Sequence, residues 1–430
     1  MTVTETFPAK FREFLTANNI STLAYADSEM LPRYVRVNPR GREVDDDGVS
    51  DAEWLASELE LDLGQLRRVE WLPTCFGGVF AVDAAAHVTL ATKSAFTAAL
   101  IHGIDAASCA AVAALGPVAA DDHVLDLCCA PGAKLCLLAD LIEQNANIRT
   151  QNPQTRNAAN PHKATSPTSI HLSGSVTGVD LSPHRIATCK SLLRKYKVSR
   201  FRLFALDGTT FNVHAPSRIG AWSRASGLQH LDNAPISTEK LAVSADQTVE
   251  TEVKTEDFSI VTAATISTTL IKPFHVTKLL RNDPQIVSPR LLYDKVLVDA
   301  ECTHDGSISH LIKCNREGWQ KFEEYFSDPK KMDALEILQR NLLSNGFRLL
   351  KPGGVLVYST CSFLRRQNED IIEWFIKNNT PNAILEDIPN ASEFPVAKPL
   401  SHSTAKMLRF TPTASKTSGL EYAGNEKEEV

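Results

Sequence analysis

The chain has 430 residues, 43% of them hydrophobic and 22% charged, with a formal net charge of −6. That length and apolar content suit two or three packed units and exclude a fibrous or wholly disordered chain. The acidic balance gives no global signal for a polyanionic partner, and the apolar stretch near residues 106–120 is too interrupted to reach the ~18 residues of a membrane span.

The first residues, Met1-Thr-Val-Thr-Glu-Thr6, lack the basic and apolar regions of a leader. An intracellular, soluble protein is expected, in the nucleus or nucleolus, the cytoplasm or the mitochondrion; a monomer is assumed. Nine cysteines without a Cys-x-x-Cys pair point to reduced thiols, and no metal is expected.

Phe7, Phe11, Phe14 and Leu15 recur at helical spacing and predict an amphipathic helix. Leu31 to Val37 reads as a strand, with Arg33, Arg36, Arg40 and Arg42 clustered around it. Ser50-Asp-Ala-Glu53 is a capping box ahead of a helix carrying Trp54, Leu55 and Leu59. Residues 1–93 therefore read as a small α+β module and residues 94–430 as a second domain, opened by a helical run from Ser94 to Gly116. Strands at His123–Leu127, Val176–Val179, Phe201–Ala205, Lys295–Val298 and Val355–Tyr358 alternate with helices at Leu135–Ile142, Pro183–Tyr196, Asp333–Leu343 and Asn368–Ile376. This alternation predicts a Rossmann-like, doubly wound, mostly parallel sheet. Two low-complexity inserts interrupt it, at about 145–173 and 215–285, the second holding a possible strand at Phe258–Ala263.

In open α/β sheets, ligands sit outside the carboxyl ends of the strands. Cys361 follows the Val355–Tyr358 strand, and Asp299 and Cys302 follow the Lys295–Val298 strand in the same manner. A lone cysteine there reads as a buried structural thiol; two on one rim, with a carboxylate, point to chemistry. After the strand ending at Leu127, the Pro131-Gly132 turn allows close backbone approach, and the following helix N-terminus offers N–H groups to a carboxylate. Asp180 sits where nucleotide-binding folds place a carboxylate for ribose hydroxyls, the first insert stretching the usual interval. Asp207 follows the third strand. The run from His184 to Arg202 carries only basic charges and reads equally as a solvated helix face or a nucleic-acid surface.

Three segments, Asp299-Ala-Glu-Cys302, Tyr358-Ser-Thr-Cys-Ser362 and Val124-Leu-Asp-Leu-Cys-Cys-Ala-Pro-Gly-Ala-Lys134, resemble signatures of the Sun-type (Nop/Sun, RsmB-like) family of RNA 5-methylcytosine methyltransferases. The family's versions are Asp-Ala-Pro-Cys, Tyr-Ser-Thr-Cys-Ser and Leu-Asp-Met-Cys-Ala-Ala-Pro-Gly-Gly-Lys. The resemblance covers most of residues 96–420 outside the inserts, with a weaker echo at Arg33–Asn38. It implies S-adenosylmethionine as cofactor, held by Cys128, Cys129, Ala130, Pro131, Gly132, Ala133, Lys134, Asp180, Arg185, Asp207 and Asp299, with Asp207 at the adenine end. It assigns Cys361 as the nucleophile that adds to cytosine C6 and Cys302 as the thiol that helps release the product. Asp299 and Lys134 then serve the base. The substrate implied is tRNA or rRNA, presented as an unstacked cytosine, and the 1–93 module is implied to help hold it.

The sequence departs from the pattern at Glu301 (Pro in the family), Ala133 (Gly) and Thr303-His304-Asp305-Gly306 (Ser-Gly-x-Gly). Glu301 is expected to raise the Cys302 thiol pKa, with His304 and Asp305 offsetting this by supplying a base. Glu421-Tyr422 replaces an apolar pair, so a short or frayed closing strand is expected. Glu301, the acidic balance and the long inserts favour one alternative, a non-catalytic RNA-binding or ribosome-assembly factor that keeps the fold.

Overall fold

In the computed structural model, which describes residues 3–26, 28–41, 49–151, 174–216, 271–280, 291–396 and 406–427, the strands form two sheets. The smaller contains β1 (Arg33–Val37), β2 (Leu66–Arg68), β3 (Val79–Val82) and β4 (Ile101–Gly103) in the antiparallel order β2-β3-β1-β4. Its helix Asp51–Leu59 starts on the expected capping box: Glu53 N–H donates to Ser50 Oγ at 3.2 Å, and Ser50 N–H donates to the Glu53 carboxylate at 2.9 Å. The stretch Ser94–Gly116 is not one helix. Ile101, His102 and Gly103 pair with Val37, Arg36 and Val35, and sheet pairing overrides the helix propensity of an Ala-rich sequence.

The larger sheet contains β5 (His123–Asp126), β6 (Ser175–Asp180), β7 (Phe201–Ala205), β8 (His275–Val276), β9 (Tyr293–Asp299), β10 (Leu350–Thr360), β11 (Ala383–Glu386), β12 (Leu408–Phe410) and β13 (Leu420–Lys427). Its order is β11-β13-β10-β9-β5-β6-β7-β8, with β12 on β13. The central five strands, β10-β9-β5-β6-β7, are parallel and the flanks antiparallel, which is the expected doubly wound fold. Successive residues of a strand face opposite sides, and each side has its own helices. Val124 and Leu297 pack with Leu135, Leu138, Ile186 and Leu193 on one face. Leu125, Val296 and Val298 pack with Leu342, Leu343, Phe347 and Phe375 on the other.

Several elements differ from expectation. The Lys351-Pro-Gly-Gly354 turn is a bulge inside β10, where the register against β9 shifts between Leu350 and Val355 and Gly353 takes φ +68°. The closing strand is neither short nor frayed: β13 has eight residues, and β10, β11 and β12 all pair with it. The first insert begins as helix, since Ala133–Gln151 runs into it, and β8 lies within the second. The possible strand at Phe258–Ala263 falls outside the described residues. No helix among the described residues is long and apolar enough to cross a membrane.

The chain start packs against the second domain. Phe7, Phe11, Leu15 and Tyr25 join Leu311, Phe322, Phe326 and Phe363 in one buried cluster, contributed in part by helices Ile308–Glu317 and Gln320–Phe326. A buried ion pair makes a second junction. Arg36 of β1 reaches Asp140 of helix Ala133–Gln151 at 2.5 Å, with side-chain exposures of 1% and 0%, and Arg40 meets the same carboxylate. Arg36 and Arg40 therefore fix the module to the helix behind the proposed cofactor loop. Arg33 is exposed, and Arg42 lies outside the described residues.

Candidate active site

The strand order reverses between β5 and β9, the switch point at which open α/β sheets bind ligands. There a cleft of about 1110 Å³ opens between the two sheets, lined by Arg33 and Tyr34 from the small one and by Cys128, Lys134, Asp299 and Cys361 from the large one.

Because β9 and β10 are parallel neighbours with Asp299 opposite Ser359, their carboxyl ends deliver Cys302 and Cys361 side by side. The two sulfurs are 3.2 Å apart. Cys361 lines the cleft, whereas Cys302 is buried behind it, 1% exposed. His304 Nδ1 lies 2.9 Å from the Cys361 sulfur and 3.7 Å from that of Cys302. Burial, with the Cys361 contact next, pushes the Cys302 thiol well above its ordinary pKa. Glu301, the expected cause, has an exposed side chain. The hydrogen bond with Cys302 raises the His304 pKa against the effect of burial, with Glu301 and Asp305 adding to it.

Asp305 is not placed as a base. It is fully buried and accepts from Thr303 Oγ1, from Ser362 Oγ at 2.7 Å and from the Phe363 N–H at 2.8 Å. It thereby clamps the loop after β9 to the loop after β10. Gly306 completes the clamp, its N–H donating to the Cys361 carbonyl at 2.9 Å.

Beside the thiols, Lys134 Nζ donates to Asp299 at 2.6 Å, and Ser359 Oγ donates to the other Asp299 oxygen at 2.7 Å. Burial works against the Lys134 charge, but Asp299, Asp126 and Cys361 outweigh it and its pKa rises. Burial and then Asp299 push Asp126, at the end of β5, up to about 7.

Residues 247–424 match the family model described as 16S rRNA methyltransferase RsmB/F. That match covers less than half of the chain. Its curated relatives include ribosomal RNA small subunit methyltransferase F of Shewanella amazonensis, 36% identical over 92 residues, which are 21% of this chain and 18% of that protein. They also include the mitochondrial tRNA (cytosine(34)-C(5))-methyltransferase of Danio rerio, 38% identical over 82 residues, 19% of this chain and 20% of that one. The matches thus span about a fifth of the length of these relatives. The crystal structure of NSun6 from Pyrococcus horikoshii with SFG aligns over 99% of this chain and 100% of its own with TM-score 0.58 and 16% identity, a likeness of fold.

The RsmB/F-type match contains both thiols, Asp299 and His304, while the loop after β5 lies outside it. In that loop Cys128, Ala130 and Lys134 line the cleft, as do Asp180, Arg185 and Asp207 beyond it. Cys129 is buried, its sulfur 4.0 Å from that of Cys189. Gly132 has φ +107°, and a Cβ there would sit 2.7 Å from the Cys189 sulfur, so only glycine passes the chain this close to helix Pro183–Lys195. Ala133 begins the helix, with Pro131 in the turn ahead of it. Arg185 donates to the Ala130 carbonyl at 2.9 Å and pairs with Asp180 at 3.3 Å, linking the loop to the end of β6. The contact of His304 with Cys361 is not legible in the sequence, since its partner is 57 residues away; the only signal is a histidine where the family pattern has glycine.

Proposed function

We propose that the protein is an S-adenosylmethionine-dependent RNA cytosine-C5 methyltransferase acting on tRNA or rRNA through a covalent bond between Cys361 and cytosine C6. The observation that carries this reading is the pair of thiols, 3.2 Å apart at the ends of adjacent strands beside the Lys134–Asp299 pair. Methyl transfer to nitrogen or oxygen needs no thiol. Carbon 5 of cytosine is a weak nucleophile, and a sulfur adding at C6 makes it reactive.

The donor set fits the cofactor. Helix Ala133–Gln151 starts at the cleft, which Ala130 and Lys134 line, so its free N–H groups suit a carboxylate; Asp180 and Asp207 stand at and just after the ends of β6 and β7, and the cleft is large enough for a nucleoside with a base beside it. S-adenosylmethionine, when bound, supplies a methyl group on a sulfonium centre. The chain's own residues do the rest: Cys361 attacks from the open side of the cleft, Asp299 accepts a hydrogen bond from the cytosine edge, and Lys134 braces that carboxylate. Cys302, protonated behind Cys361, is positioned to assist release. Arg33 and Tyr34 on the rim support a role for the 1–93 module in holding RNA.

Incubation of the protein with labelled S-adenosylmethionine and total RNA, followed by nucleoside analysis, tests the reading. Label in 5-methylcytidine that disappears in Cys361→Ala is expected, as is a covalent RNA adduct in Cys302→Ala. Absence of label despite cofactor binding would overturn it.

A further inference from the structure

His304 stands at a position where the family pattern has no base, and its nearest polar contact is the sulfur of Cys361, at 2.9 Å against 3.7 Å to Cys302. The loop that carries it is held on both sides. Thr303 and Asp305 are buried and bonded to the loop of Cys361, the His304 carbonyl accepts from the Ser307 N–H at 3.0 Å, and the Gly306 N–H reaches the Cys361 carbonyl. A Cβ on Gly306 would come within 2.8 Å of that carbonyl, so the loops meet at their closest limit. His304 itself adopts φ +57°, a left-handed conformation sparsely used by residues other than glycine, and this conformation aims its ring at the thiol.

The charged surroundings favour a cation on this ring. The hydrogen bond with Cys302 raises the pKa of the ring against the effect of burial, and Glu301 and Asp305 of its own loop add to it. From the loop of Cys361 the ring is faced by that thiol, and from the following helix by His310, 5.5 Å away between ring centres, which burial keeps neutral. Cys302, buried and protonated, is left to donate its S–H toward Cys361.

We infer that His304 is the catalytic base that takes the proton of Cys361, so that the nucleophile is an imidazolium–thiolate pair; this rests on the reading of Cys361 as the nucleophile. The S–H bond breaks as the proton passes to Nδ1, and the freed electron pair on sulfur forms the S–C6 bond while the C5–C6 π pair moves to C5. The pair on C5 then bonds to the methyl carbon of the cofactor, whose old C–S pair stays on the cofactor's sulfur. On release a water molecule takes the C5 proton, the C5–H pair rebuilds the C5–C6 π bond, the S–C6 pair returns to the sulfur of Cys361, and Nδ1 returns its proton there. A thiolate beside a cationic imidazole is populated well below the ordinary thiol pKa.

The test is the pH profile of iodoacetamide alkylation at Cys361, resolved by mass spectrometry on the full chain. Two variants are compared with the parent: His304→Asn, which tolerates a left-handed backbone and carries no base, and His304→Gly, which adopts that backbone freely. In the parent, alkylation is expected to rise with a midpoint below about 8.5, the value of a free thiol. Both variants should move the midpoint up toward that value, and alkylation at neutral pH should slow about tenfold for every whole pH step by which the midpoint rises. An unchanged profile in both variants would overturn the inference. Since the readout is not turnover, methylation surviving in Cys361→Ala would refute the nucleophile reading separately.

Discussion

Asp140→Ala should destabilise the protein more than any single surface change. The carboxylate is completely buried and sits between two guanidiniums, Arg36 at 2.5 Å and Arg40 on its other oxygen. Arg40 keeps a second partner, Glu143, at 3.2 Å. Among the described residues Arg36 keeps only the Phe76 carbonyl, at 2.6 Å from Nε, and it is 1% exposed. The substitution therefore strands a buried cation, which costs about 3–5 kcal/mol. At about 2–4 °C per kcal/mol, the unfolding midpoint should fall by roughly 6–20 °C. Thermal unfolding followed by circular dichroism measures this, run at low and at high salt. A buried pair loses little to screening, whereas an exposed one contributes ~0–1 kcal/mol and fades with salt. The double variant Arg36→Met with Asp140→Leu should recover most of the loss, since it removes both charges and keeps the volume. A fall worth less than about 1 kcal/mol, or one that disappears at high salt, would refute the claim that this pair anchors the small sheet to the helix.

Gly132→Ala combines a φ of +107° with a Cβ 2.7 Å from the Cys189 sulfur. It should destabilise the chain by about 1–3 kcal/mol and weaken S-adenosylmethionine binding in calorimetric titration, and Cys189→Ala should relieve only the steric part. Asp126 has a folded pKa raised to about 7 from 3.8, so the folded state holds its proton across a range where the unfolded state does not. The stability it contributes is complete below pH ~4 and is lost as pH rises toward 7. Relative to Asp126→Asn, which keeps an acceptor for the Cys128 N–H, the parent should lose about 2 kcal/mol between pH 5 and 7 in urea titrations. A constant difference across that interval would contradict the raised pKa.

The parts of the site legible in the sequence are those written within one strand and its following loop. Asp299 and Cys302, Cys361, and the turn before Lys134 each announce themselves locally, and the parallel register of β9 and β10 then brings the two thiols together. What escaped depends on contacts between distant segments. Arg36 stands in the sequence as one of four clustered arginines; its burial follows from Asp140, 104 positions later. Asp305 looked like a base because it neighbours His304, and only the fold shows its oxygens taken by Ser362 and Phe363. β4 is three residues long and embedded in an alanine-rich stretch, so local propensity concealed it. Glu421-Tyr422 suggested a weak edge, yet β13 lies between β10 and β11, and pairing on both sides holds it.

That position of β13 has a consequence for biosynthesis. Gly419 donates its N–H to the Gly306 carbonyl at 2.8 Å, and Glu421–Glu426 pair with Thr360–Val355, the second half of β10. The strand that flanks the loops of Cys302, His304 and Cys361 is thus missing until residues 419–427 have been made. A growing chain gains roughly 5–20 residues per second, so for several seconds after Cys361 is polymerised its thiol stands in an unfinished sheet.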